Sequence, residues 1–163
     1  PEDPKELLQI LTGDFTIIEA EVQPWQLYDI KMQLLSGFRL VDTAFETGKK
    51  LMVFQNKGRR LLIWHISLAD IMLKRNALEV WVKDILNTCR IIRGPRFYID
   101  ADKQIRHRRS LLKRLGHFTE LSRGCRAYQV EFRHDQEKNR IIIQVFNYRK
   151  DEDMEMLRGL EIR

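Results

Sequence analysis

The stretch "ETGKKLMVFQNKGRRLLIWHI", Glu46 to Ile66, decides the architecture of this chain. Gly48 stands between two apolar runs, and "NKG" (Asn56 to Gly58) separates "LMVF" from "RRLLIWHI". Glycines at such spacing are hairpin signals, because tight turns need the positive φ that glycine adopts without strain. Leu61 to Ile66 is apolar at both odd and even positions, as expected of a strand covered on both faces. With "FRLVDTAF" (Phe38 to Phe45) ahead of it, the stretch predicts a three-stranded antiparallel meander.

Working outward, "PEDPKELLQIL" reads as a short helix behind Pro4, with acids in its first turn where the helix dipole favours them. "FTIIEAEV" (Phe15 to Val22) has the β-branched content of a strand that Pro24 stops, and "WQLYDIKMQLL" then reads as a helical turn or two. Ser67 is placed to cap a long helix running to about Thr88. Ile71, Leu78, Val82, Ile85 and Cys89 form its apolar stripe, with Arg75, Glu79 and Lys83 on the solvated side. "FYI" (Phe97 to Ile99) reads as a short extended piece. "RAYQVEF" and "RIIIQVF" alternate around the polar "RHDQEKN" and predict a C-terminal β-hairpin.

The expected fold class is therefore α+β, an antiparallel or mixed sheet packed against a small group of helices. At 163 residues the chain fits a single domain over 1–163. An opening without Met and a close on "GLEIR" suggest a domain excised from a longer protein, monomeric in isolation. No apolar run approaches the ~20 residues of a membrane span, so no membrane partner is expected.

The formal net charge of +6 equals the six cations of "KQIRHRRSLLKRLGHF", Lys103 to Phe118, a stretch without an acid. The segment reads as an amphipathic helix capped by Asp100 or Asp102. Ile105, Leu111, Leu112, Leu115 and Phe118 share one arc. Arg106, Arg109, Lys113, Arg114 and His117 share the opposite one. Arg108 falls at or before the helix start. Two readings stand side by side: a face for RNA or another anionic partner, or an ordinary solvated face. A solubility face normally mixes signs, and a single-sign face suits a polynucleotide backbone, with Arg106, Arg109, Lys113 and Arg114 as its contacts.

Nucleophile elbows, Walker loops, zinc-protease helices and dinucleotide-binding glycine motifs are missing, so no enzyme activity is expected. Cys89 and Cys125 make no metal-ligand spacing, and neither a metal nor a cofactor is predicted. His65 lies in an apolar strand and reads as a core histidine. His134 and Asp135 fall in a charged loop without a nucleophile nearby. Of the three tryptophans, Trp64 reads as core. Trp25 and Trp81 are the candidate base-stacking rings, with core packing as the alternative.

Read in order, "LTGDFTIIEAEV", "RRLLIWHISLAD", "IRGPRFYIDADKQIRHRRSLLKR" and "DMEMLRGLEI" resemble the cap-binding domain of the second basic subunit of orthomyxovirus RNA polymerases, most like a divergent thogotovirus member. The resemblance spans nearly the whole chain. It implies a viral transcription domain that holds the methylated cap of host messenger RNA for cap snatching, with other polymerase subunits as partners, in the host nucleus and the virion. In that family two rings sandwich the cationic base and an acid reads the guanine edge, which is what the charge of the methylated ring favours. Here the ring positions fall on Gln23 and Val82, the acid position on Leu27 or Arg39, and the phosphate-side positions on His107 and Ser110. These departures imply weak or lost cap affinity. The alternative is a structural domain that positions RNA or polymerase neighbours through the basic helix.

Overall fold

The structure is a computed structural model and describes residues 22–27, 30–74, 76–92, 95–109, 127–157, 160 and 162. The chain divides into two compact units, residues 1–36 with 159–163 and residues 37–158.

In the smaller unit β1 (Val22–Leu27) and β2 (Ile30–Leu35) pair antiparallel, from Val22 opposite Leu35 to Leu27 opposite Ile30. Ile30, Met32 and Leu34 are buried while Lys31 and Gln33 are exposed, the period of two that a half-buried strand requires. Met32 also bridges to Ile162. These strands replace the helical turn expected from "WQLYDIKMQLL". Pro24 lies inside β1 instead of ending it. Among the described residues β1 pairs with β2 alone, and a strand with one neighbour tolerates a missing N–H.

The larger unit is built on an antiparallel five-stranded sheet in the order β3-β4-β5-β9-β8. The meander β3 (Arg39–Glu46), β4 (Lys49–Asn56) and β5 (Arg59–Ser67) is the one its glycines predict. Gly48 takes φ 75°, and the two-residue turn Lys57–Gly58 takes φ 45° and 89°. The second pattern matches the twist of the flanking strands. β8 (Ala127–Asp135) and β9 (Arg140–Tyr148) form the expected C-terminal hairpin, with β9 seated against β5.

Both faces of β5 are covered. Leu62, Trp64 and Ile66 join Leu51, Val53, Ile141, Ile143 and Val145 in one apolar core. On the opposite parity Leu61, Ile63 and His65 are buried as well, in register with Phe54, Met52 and Lys50 of β4. Phe38 adds a ring 6.5 Å from that of Phe146 on this side of the larger unit.

The long helix expected from Ser67 to Thr88 is two helices, α1 (Ala69–Met72) and α2 (Leu78–Thr88). Ser67 is the last residue of β5, and its N–H donates to the Gly48 carbonyl at 2.8 Å. The break separates Ile71 from the stripe. It is 58% exposed, whereas Val82 and Leu86 are buried and Leu78, Ile85 and Cys89 pack around them. A one-turn helix cannot hold phase with the next one across a loop. Glu79 and Lys83 are only half-exposed. A 3₁₀ helix, Asp151–Leu157, follows β9.

The basic stretch departs furthest from expectation. Ile105–Arg109 is strand β7, paired antiparallel with β6 (Pro95–Ile99), and not the start of a helix. Asp100 caps the connecting turn, accepting from the N–H groups of Asp102 at 3.1 Å and Gln104 at 2.8 Å. The expected N-terminal helix, the strand from Phe15 as far as Glu21, Arg75, Ser110, Leu111, Leu112, Lys113, Arg114, Leu115, His117 and Phe118 lie outside the described residues.

Candidate nucleic-acid interface

The β6–β7 ribbon has an inner and an outer side, set by the alternation of its two strands. Phe97 and Ile105 are buried on the inner side. Asn87 of α2 clamps the ribbon by donating Nδ2 to the Phe97 carbonyl at 3.0 Å and accepting the Phe97 N–H on Oδ1 at 2.9 Å. The rings of Phe97, His107 and Tyr128 meet edge-on or tilted, with centroids 5.3–6.3 Å apart. Such contacts are favourable for aromatic quadrupoles and fix the ribbon against β8.

The outer side carries Arg96 opposite Arg108 and Tyr98 opposite Arg106. All four are exposed. Like charges directly across a pair of strands cost stability unless an anion sits between them. Arg106 Nε donates to Asp100 Oδ2 at 2.9 Å. That hydrogen bond, with the Gln104 N–H, holds the Asp100 carboxyl below its ordinary range. Among the described residues neither Arg96 nor Arg108 makes an ion pair, and the two face each other across the ribbon.

Beside the ribbon lies a groove of about 520 Å³, walled by Tyr98 and residues 103–107 on one side and by Tyr128–Phe132 and Tyr148 on the other. Its charges are Lys103, Arg106 and Glu131.

The residues singled out in the sequence are scattered. Trp25 is half-buried on β1, opposite Met32, in the smaller unit. Trp81 is half-buried on α2 and packs against the core of the larger unit. Gln23 and Leu27 stand on β1, and Arg39 is the exposed first residue of β3. Val82, the position that the resemblance gives to a stacking ring, is completely buried in the core. His107 and Arg106 are neighbours on β7, facing opposite sides of the ribbon. Arg109 is the last residue of that strand, its side chain outside the described set.

Arg96, Tyr98 and Arg108 were not singled out as contacts by the sequence. The signal was an alternation, R-F-Y-I answered by I-R-H-R across the polar turn "DADKQ", which brings the arginines together only when the two segments are paired.

Other polar groups are committed to the fold. His65 is buried with Nε2 3.5 Å from Arg140 Nη1, and Arg140 Nε donates to Asp135 Oδ2 at 2.9 Å. Among the described residues no three His, Cys, Asp or Glu side chains gather as a metal site, and no helix is long and apolar enough to cross a membrane. No protein-family model, curated protein or solved structure matches the chain.

Proposed function

We propose that this chain is a cap-binding-like domain of a viral RNA polymerase subunit, with weak or no affinity for the methylated cap. Its part in transcription is to hold RNA beside the other polymerase subunits, in the host nucleus and the virion. The observation that carries the RNA reading is the outer side of the ribbon, where Arg96 faces Arg108 and Tyr98 stands across from Arg106. Guanidinium groups bind phosphate bidentately and aromatic faces stack bases, a combination suited to single-stranded RNA without sequence readout.

Replacing Arg96 and Arg108 together by Glu is the test. Both side chains are exposed, so the thermal midpoint should hold while affinity for single-stranded RNA at low salt falls about tenfold or more. Unchanged affinity in the folded double variant would overturn the proposal.

The expectation of weak cap binding rests on Val82 being core and on Trp81 being packed against it. A methylated base is held chiefly by two π faces around its cation. In a tryptophan-fluorescence titration, methylated and unmethylated guanosine triphosphate should quench alike and without micromolar saturation. Saturable micromolar quenching by the methylated form alone, lost in Trp25→Ala or Trp81→Ala, would contradict it.

A further inference from the structure

We propose that β3 is the contact strand of a symmetric dimer, pairing antiparallel with β3 of a second copy of this chain. The inference does not depend on the RNA-binding reading.

β3 closes one edge of the five-stranded sheet, and among the described residues no strand pairs with its outer side. Edge strands are usually short, covered or guarded by charge. This one is eight residues long, and every residue but Leu40 is exposed. Val41 is 51% exposed and Phe45 45%. A strand exposed on both parities has neither face covered, and its outer N–H and C=O groups are a template for another strand.

The sequence of β3 is complementary to itself. Leu40, Thr43 and Phe45 stand opposite Phe54, Met52 and Lys50 of β4, and so share one face of the sheet. Arg39, Asp42, Ala44 and Glu46 share the other, and Val41 bulges out of the ladder between Leu40 and Asp42. A two-fold axis perpendicular to the sheet at Thr43 sets that residue opposite Thr43 of the second copy. Asp42 then meets Ala44. With the bulge counted as it is against β4, Leu40 meets Phe45 and Arg39 meets Glu46. Cross-strand threonines, apolar–aromatic pairs and opposite charges each favour pairing. Glu46 is 72% exposed, and its contact with Lys49 is a loose 3.9 Å.

Neighbouring registers are penalised. A slip of two residues sets Asp42 against Glu46 in one direction and against Asp42 of the other copy in the opposite one. A slip of one turns every side chain to the wrong face. The bulge and Asp42 thus guard the edge against indiscriminate pairing while leaving one register favourable. A contact of one strand from each copy is small, so the dimer is weak and the monomer is its dilute form. In the dimer the two sheets run on as one. Both β6–β7 ribbons lie on the same side of it, because Phe97 and Ile105 share the core of Leu51 and Trp64.

Sedimentation equilibrium of the full chain at concentrations up to about 1 mM is the test. The wild type should rise towards twice the monomer mass. Arg39→Glu and Glu46→Arg, both at exposed positions, should each weaken dimerisation about tenfold or more, since both attractive end pairs become repulsive. An equimolar mixture of these two variants should recover the dimer, because every end pair between them again joins opposite charges. A wild type still monomeric at about 1 mM would overturn the proposal and leave the strand to a segment of a different protein. A dimer that neither variant weakens would overturn it too, by placing the contact on another surface. Loss in both variants without recovery on mixing would refute the antiparallel pairing.

Discussion

Trp64→Ala is expected to cost about 3–5 kcal/mol, the usual range for deleting a buried aromatic ring. Trp64 is 1% exposed on the middle strand of the sheet, with Leu51 of β4 and Ile143 of β9 beside it in register. Val82 and Leu86 of α2 belong to the same core. No single neighbour can fill a void of indole size without leaving its own rotamer, so the cavity largely persists. Domains have only about 5–15 kcal/mol in all. At about 2–4 °C per kcal/mol for a chain of this size, the thermal midpoint should fall by roughly 6–20 °C. Urea unfolding followed by circular dichroism checks it. A midpoint within error of the wild type would mean that the core is misassigned.

The second large effect is at Asp153, where one carboxylate ties the 3₁₀ helix to the start of β5. It pairs with Arg59 and accepts the N–H groups of Arg149 at 2.9 Å and Lys150 at 3.2 Å. The side chain is 7% exposed, and that of Arg59 21%. Removing the carboxylate breaks the Arg59 pair and takes the acceptor from the Arg149 and Lys150 N–H groups, and loss of one member of a buried pair costs about 3–5 kcal/mol. The part-exposed Arg59 puts Asp153→Ala near the low end, about 3 kcal/mol. The hydrogen bond from Arg59 is the main reason the carboxyl is held at about 2, below its ordinary 3.8. A depressed pKa stabilises the fold above the unfolded value, and that contribution is lost as pH falls from about 4 towards 2. Wild type and Asp153→Ala should therefore differ most near neutrality and converge in that acid window. Denaturant midpoints at pH 7 and pH 3 measure this, and a constant gap would refute the linkage.

The meander was legible because its signals agree. Gly48 and Gly58 punctuate short runs whose apolar residues occupy both parities, and runs of that length bounded by turn glycines suit a doubly covered strand. The β8–β9 hairpin was legible from alternation around a polar loop. In "WQLYDIKMQLL" the apolar residues fit a helical period as well as a period of two, and Pro24 favoured the wrong choice. Pairing with β1, which buries Ile30, Met32 and Leu34 in turn, decides for strand.

"IRHRR" is shorter than either period needs in order to be recognised, and its partner strand lies beyond a polar turn. Its charge was visible in the sequence, and Arg106 was among the expected contacts. The positions of Arg96 and Tyr98 depend on pairing between segments that no local pattern connects. Val82 shows the opposite limit. The resemblance would give it a ligand-facing role, whereas the α2 stripe in which it sits, Leu78, Val82, Ile85 and Cys89, already marked it as core.

The central claim is that RNA backbone lies on the β6–β7 ribbon, and its salt dependence tests that most directly. Each phosphate contact to a single strand contributes about 0.7 to the slope of log affinity against log salt. Contacts from Arg96, Arg106 and Arg108 therefore predict a slope of about −2 for the wild-type chain with short single-stranded RNA. The Arg96→Glu and Arg108→Glu double variant should flatten it to about −0.7 or less. A wild-type chain that binds no RNA at low salt, or binds with the same slope as the double variant, would contradict the claim.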